Sequence, residues 1–98
     1  MDIGTVIKGM RKGRGESQST FAEAVGMTQT NLSFLEQNKT FPTMTTLKNI
    51  SEHTGVAVPM MFLFAVQEED VPKENLKKFK TSWPAVIQTA EKIFELAK

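Results

Sequence analysis

The sequence predicts an all-α protein, with five short helices over residues 1–66 and a C-terminal helical extension over residues 67–98. Apolar residues recur three and four positions apart along most of the chain, which is the period of an amphipathic helix. A capping residue precedes most of these segments, and glycine or asparagine follows several of them. A length of 98 residues, 40% of them hydrophobic, supplies the core of one domain.

The first helix is predicted to begin after Asp2, which caps it, and to run to about Lys12. Helical spacing puts one group of side chains on its apolar face, namely Ile3, Val6, Ile7 and Met10. Its polar face is predicted to carry Lys8, Arg11 and Lys12. These basic groups, together with Arg14, form either a solvated surface or a phosphate-binding surface. The glycines on either side of Arg14 end the helix.

Residues 18–36 have the features of two short helices that cross tightly. Ser17 and Thr28 are placed to cap these helices. Ala22 leaves room for the crossing, and Gly26 can take the positive φ that the turn requires. Leu32 and Leu35 bury the inner face of the second helix, which leaves outward Gln29, Thr30, Asn31, Ser33 and Phe34. This is a helix-turn-helix, a shape that fits the DNA major groove.

Two more helices complete the predicted domain. Asn38 stands where the third helix should end in a left-handed residue. Thr43 opens a fourth helix that Gly55 ends, and residues 56–64 form a fifth helix with Pro59 in its first turn.

The extension begins with an acidic hinge at residues 67–72, and two helices are predicted after it, over about residues 72–81 and 83–97. Ser82 is the predicted cap of the second, and Pro84 lies near its first turn. One apolar stripe runs through both helices, formed by Leu76, Phe79, Trp83, Val86, Ile87, Ala90, Ile93, Phe94 and Ala97. Two short amphipathic helices cannot bury such a stripe by themselves. We predict that it forms a homodimer; packing on the chain's own core or on a different partner is the alternative.

Composition excludes several classes of protein. Cysteine is absent, so no disulfide framework or thiolate chemistry is expected. No apolar run is long enough for a membrane span and no signal peptide is evident, which predicts a cytoplasmic protein. His53 has no partner ligands in sequence and Glu36 is expected to order basic or backbone donors, so we expect no metal, no cofactor and no catalysis. The net charge of +1 does not decide for or against DNA binding.

The pattern of spaced residues resembles the Cro/C1-type (XRE-type) helix-turn-helix domain of phage repressors and bacterial regulators. The resemblance covers about residues 3–64 and rests on Ile3, Gly4, Ile7, Arg11, Gln18, Ala22, Gly26, Leu32, Ser33, Glu36, Pro42, Leu47 and Gly55. It implies a five-helix, lambda-repressor-like domain that binds operator DNA as a dimer. The third helix would be the recognition helix.

The resemblance also implies roles for individual residues. Gln18 would contact a phosphate and brace Gln29. Base edges would be read by Gln29, Thr30 and Phe34, and the DNA backbone would be held by Gln18, Asn31, Ser33, Asn38 and Lys39. Phe34 occupies a position that is often polar or basic in this family, where its ring would contact a thymine methyl or a protein. The third helix has no arginine, which favours A·T-containing targets.

Two functions follow from these residues. The first is a dimeric, sequence-specific transcriptional regulator, a repressor that reads a palindromic operator with the third helix. The second is a protein-interaction module, antitoxin-like or regulatory, that uses Phe34, Phe41 and the C-terminal helices to hold a protein partner. The salt dependence of binding distinguishes the two functions. DNA binding releases counterions and therefore weakens steeply as the salt concentration rises, whereas an apolar protein contact does not.

Overall fold

A computed structural model of the chain describes residues 1–94. Its six α-helices are α1 (Ile3–Gly13), α2 (Gln18–Ala24), α3 (Gln29–Glu36), α4 (Met44–Thr54), α5 (Val58–Ala65) and α6 (Leu76–Phe94). Two short 3₁₀ turns, Glu68–Asp70 and Lys73–Asn75, connect α5 to α6. No strand occurs within the described residues, so the all-α prediction is confirmed. None of these helices is long and apolar enough to cross a membrane.

Side-chain caps begin four of the six helices, at the residues that the sequence predicted. Each cap accepts a hydrogen bond from a backbone N–H three residues later, and the four are Asp2, Ser17, Thr28 and Thr43. Such caps satisfy backbone donors that a helix leaves without partners at its N-terminus. The left-handed positions are also confirmed, with φ values of 76° at Gly26 and 59° at Asn38. The fifth helix starts two residues later than predicted, at Val58.

The core is formed where α1 packs on α3 and α5, and α2 on α3. Its largest fully buried side chains come from all five of the first helices: Ile3, Ile7, Phe21, Leu32, Leu47, Ile50 and Met61. Partly buried Met27 packs against this cluster from the turn between α2 and α3. The core therefore holds α3 between α1 and α2 and leaves its outer face exposed to solvent.

The N-terminus of α1 lies against the C-terminus of α3 at the closest approach of these helices. A Cβ atom on Gly4 would meet the Glu36 carbonyl oxygen at 2.8 Å and the Leu35 carbonyl oxygen closer still. The Gly4 N–H donates to Asn38 Oδ1 at 2.9 Å, and Asn38 Nδ2 donates to the Asp2 carboxylate at 2.6 Å. Gly4 and Asn38 thus set the separation of α1 from the end of α3.

The prediction that Arg11 lies on the polar face of α1 is wrong. Its side chain is only 10% exposed and forms an ion pair with Glu36. The reason is its spacing, since Arg11 follows the buried Ile7 by four residues and shares its face. The charged head is accommodated there because a carboxylate from α3 reaches it.

The prediction of two C-terminal helices is also wrong. A single 19-residue helix, α6, begins at Leu76 and continues through Pro84, so Ser82 is not a cap. Proline at this position removes the backbone hydrogen bond to the Lys80 carbonyl. The rings of Phe79 and Trp83 stack at 5.0 Å between centroids, so apolar contact continues along the turn before the proline. The segment between residues 73 and 75 is a 3₁₀ turn rather than the first turn of the helix.

The apolar stripe of α6 is partly covered within the chain. Ala90 is buried, and four other members are half-buried: Leu76, Phe79, Trp83 and Ile87. Val86 and Ile93 lie along one edge and are 43% and 65% exposed. An open apolar groove beside this edge is shared with Met60 and Leu63 of α5. The side chain of Phe94 and the whole of Ala97 lie outside the described residues.

Two glycines of α1 give a matched test of the α1–α3 contact. We expect Gly4→Ala to lower the free energy of unfolding by at least roughly 1–3 kcal/mol, because the added methyl must push two helices apart. Gly9 has no atom within 4 Å of its Cβ position. Gly9→Ala should therefore raise stability by up to about 1 kcal/mol through helix propensity. Urea unfolding followed by circular dichroism measures both, and equal effects would contradict the close packing at Gly4.

Candidate nucleic-acid interface

The outward face of α3 carries the residues that the sequence placed there. Gln29, Thr30, Asn31 and Phe34 are exposed, whereas Leu32 and Leu35 are buried. Ser33 is half-buried, and its hydroxyl accepts a hydrogen bond from Gln37 Nε2 at 2.8 Å. The structure therefore brings together on one accessible helix face all three predicted base readers, Gln29, Thr30 and Phe34.

Gln37 belongs to this face but was not predicted. It is the C-terminal cap residue of α3, is exposed, and follows Ser33 by four residues. That spacing places it on the side of the helix that carries Thr30, one turn beyond Ser33. The sequence signal that could have identified it is its four-residue spacing from Ser33. Gln37 adds an amide with free acceptor capacity to the surface.

A buried ion pair joins the last residue of α3 to α1. Arg11 Nε donates to Glu36 Oε2 at 2.7 Å, and Arg11 Nη2 donates to Oε1 at 3.0 Å. The Glu36 side chain is 2% exposed. The third donor of the guanidinium, Nη1, reaches the Glu16 carbonyl oxygen at 3.0 Å. The expectation that Glu36 orders a basic group is confirmed, and α1, α3 and the loop before α2 meet at this pair.

A relay of side-chain hydrogen bonds runs from this pair to the surface. Gln18 Nε2 donates to Glu36 Oε1 at 3.0 Å. Gln29 Nε2 in turn donates to Gln18 Oε1 at 2.8 Å, which confirms that Gln18 braces Gln29. The relay therefore connects the buried carboxylate to the first residue of α3.

Chemistry fixes the direction of this relay. A carboxylate only accepts hydrogen bonds, so Gln18 must present its NH₂ group to Glu36. Its carbonyl oxygen then faces Gln29, which must also present NH₂. Among residues 1–94, the Gln29 carbonyl oxygen and its second N–H have no hydrogen-bond partner, and the residue is exposed. This acceptor and donor pair complements the N6 donor and N7 acceptor of adenine, whereas guanine offers two acceptors.

The ionisation of Glu36 keeps that direction constant. Burial raises the pKa of the Glu36 carboxyl, but hydrogen bonds from Arg11 and Gln18 and the nearby positive charge outweigh burial. The resulting pKa lies below the ordinary value for glutamate. The carboxylate is therefore charged at neutral pH and acts only as an acceptor.

The residues predicted to hold the DNA backbone lie around the edge of α3. Asn31 is exposed in the first turn of α3, and Lys39 is exposed in the segment that follows the helix. Both ends of the Asn38 amide already bind Gly4 and Asp2, so a DNA contact from Asn38 would use its remaining N–H or its backbone. The phosphate roles of all these residues stay predictions.

Two exposed rings flank this surface. The Lys39 ammonium lies 5.7 Å from the centroid of the Phe34 ring, which is 40% exposed. Phe41, in the loop after α3, is 58% exposed and stacks on Phe62 of α5 with centroids 6.4 Å apart. The first ring belongs to the exposed face of α3, and the second forms a separate apolar patch.

His53 makes contacts that connect parts of the fold. Its Nε2 lies 2.9 Å from the Glu16 carboxylate, and its ring packs edge-on against Phe21. Among residues 1–94, no group of three or more potential metal ligands comes together. His53 joins the end of α4 to the loop before α2.

The Glu36 carboxylate makes stability depend on acidity. Because its folded pKa is depressed, it stabilises the fold above its unfolded pKa of about 4.3, and this contribution disappears as pH falls through the folded pKa. We expect Glu36→Gln to lower the free energy of unfolding at pH 7 by about 3–5 kcal/mol, because Arg11 loses its buried partner.

Urea unfolding between pH 7 and pH 3 measures this dependence. Glu36→Gln should flatten the acid decline, and the control Glu52→Gln, at an exposed position of α4, should leave it unchanged. Identical acid declines in Glu36→Gln and the unchanged chain would contradict the ion pair.

Comparison with known proteins places residues 7–59 within a family model described as helix-turn-helix. This span contains α2, the turn and α3. The chain is similar to the HTH-type transcriptional regulator SutR of Escherichia coli K12, with 34% identity over 70 residues, or 71% of the chain. It spans 38% of the length of that relative. No solved structure matches the chain.

Proposed function

The chain belongs to the Cro/C1-type helix-turn-helix family, and on that basis we propose that it is a sequence-specific transcriptional regulator, a dimeric repressor that reads a palindromic operator with α3. The observation that carries the proposal is the Gln29 amide, exposed at the start of α3 and oriented by Gln18. Such an amide matches a base edge in the major groove. A cytoplasmic location is part of the proposal.

In this proposal α3 supplies the contacts to bases. Gln29 pairs in a bidentate manner with adenine, through its free oxygen and free N–H. Thr30 adds a hydroxyl that can donate or accept, and the exposed edge of Phe34 meets a thymine methyl. All three side chains are exposed on one helix face, which supports a common target.

Contacts to phosphates position the helix but carry no sequence information. We assign them to the edge of α3 and the start of α2, namely Gln18, Asn31, Ser33, Asn38 and Lys39. Lys39 is the cationic member of this set. Since each neutralised phosphate contributes to affinity, one module with so few cationic contacts binds weakly at physiological salt.

A two-fold dimer overcomes that weakness, because the second module then binds as an effectively intramolecular partner. Half-sites would lie about one helical turn, roughly 34–36 Å, apart. We assign dimerisation to the stripe of α6: Leu76, Phe79, Trp83, Val86, Ile87, Ala90, Ile93 and Phe94. Within this stripe, the edge formed by Val86 and Ile93 is the most exposed part, and the half-buried members keep part of their surface for a second copy.

A protein-interaction module is the second candidate, and the exposure of Phe41 favours it. A ring that is 58% exposed and stacked on Phe62 offers an apolar contact for a protein. Increasing salt from 50 to 200 mM should weaken DNA binding strongly and an apolar protein contact little. A partner whose binding requires Phe41 and resists salt would support this second candidate.

The division between base reading and phosphate binding is testable with two substitutions. We expect Gln29→Ala to cost roughly 1–3 kcal/mol of binding and to relax the preference at one base pair of each half-site. Lys39→Ala should instead weaken all sequences alike and lower the salt slope by about 1. Selection from a random DNA pool followed by titration measures both. An unchanged motif in Gln29→Ala would show that α3 does not read DNA through this residue.

The dimer assignment has a matched pair of variants on α6. Val86 lies at the exposed edge of the stripe, and Gln88 is exposed on the opposite side of the helix. We expect Val86→Glu to shift sedimentation from dimer to monomer and to reduce operator affinity, because a charge enters an apolar contact. Gln88→Glu adds the same charge and should keep the dimer. Equal behaviour of the two variants would place the interface elsewhere.

A further inference from the structure

The end of α3 places a cation over an aromatic ring on the recognition face. Lys39 Nζ lies 5.7 Å from the centroid of Phe34, within the range of a cation–π interaction. No carboxylate within residues 1–94 forms an ion pair with Lys39, in contrast to the buried Arg11. The ring is therefore the counterpart that the structure offers to this ammonium group.

The backbone that carries Lys39 is held in place. Asn38 adopts a φ of 59°, which turns the chain back across the last turn of α3. The Lys39 N–H donates to the Phe34 carbonyl oxygen at 2.9 Å. The Asn38 side chain is fixed to Gly4 and Asp2 of the α1 N-terminus. The backbone positions of Lys39 and Phe34 are therefore fixed relative to each other. The distance between the ammonium group and the ring then depends only on the side-chain torsions.

We propose that Phe34 is a positioning residue for Lys39, and that its ring holds the ammonium group beside α3 where a DNA phosphate is bound. This inference rests on the proposed function in DNA binding. An ammonium group has three N–H donors, so it can face the ring and still donate to a phosphate. Holding it in advance reduces the side-chain entropy lost on binding, because a free lysine has many rotamers.

This role differs from contact with a thymine methyl. Apolar contact with thymine needs only a hydrophobic side chain, whereas attraction of a cation needs the ring's negative face. Phe34→Leu keeps the first and removes the second. Phe34→Tyr keeps both, so it serves as the conservative control.

The test is a double-mutant cycle on operator affinity at constant salt. We expect Phe34→Leu to reduce affinity about twofold to fivefold in the unchanged chain, similarly for operators with and without a thymine beneath the ring. In a Lys39→Met background the same substitution should cause no further loss, and Phe34→Tyr should retain affinity. Equal losses in both backgrounds would overturn the proposal.

A measurement without DNA separates this inference from the proposed function. In the free protein, the ε-CH₂ protons of Lys39 should show an upfield ring-current shift by NMR, present in Phe34→Tyr and absent in Phe34→Leu. An unshifted Lys39 resonance in the unchanged chain would overturn the positioning role even if DNA binds. Failure to bind any DNA with the shift intact would instead contradict the proposed function.

Discussion

The buried ion pair between Arg11 and Glu36 is the interaction on which the arrangement of the exposed face of α3 depends. Removing two charges from water costs several kcal/mol each, and the cost is offset only when geometry and hydrogen bonding are complete. Here the carboxylate accepts from Arg11 twice and from Gln18 once. The guanidinium also binds the Glu16 carbonyl. These hydrogen bonds hold the C-terminal end of α3 against α1.

The same ion pair also determines which way the side-chain amides between it and the surface donate their hydrogen bonds. An acceptor at Glu36 requires a donor at Gln18, and each following amide inherits its orientation, so the exposed Gln29 presents a defined donor and acceptor. At the same, C-terminal end of α3, Asn38 and Gly4 hold the helix to the start of α1. The C-terminal end of α3 is therefore fixed to α1, and its first residue is connected to the same ion pair through Gln18 of α2. Precise placement of exposed side chains depends on such supporting contacts.

Local features of the fold were predictable because they depend on a few neighbouring residues: caps, the turn between α2 and α3, and the face of α3 that is exposed. Contacts between residues distant in sequence were not predictable in this way. Arg11 was predicted to face solvent, although its four-residue spacing from Ile7 puts it on the buried face. Pro84 suggested a break in the extension, but Phe79 and Trp83 keep one helical phase up to it. The expectation that proline ends a helix considers only neighbouring residues, whereas the apolar stripe extends along the whole of α6.

The most direct test of the account is an NMR titration that observes the side-chain amides of Gln18 and Gln29. The DNA would be an operator duplex selected from a random pool, compared with the same duplex carrying guanine for adenine at the Gln29 contact. We predict that the adenine duplex shifts both amides, Gln29 by direct contact and Gln18 through their shared hydrogen bond, and that guanine weakens binding by roughly 1–3 kcal/mol. Unshifted side-chain amides on a tightly bound duplex, or equal affinity for both duplexes, would contradict the account.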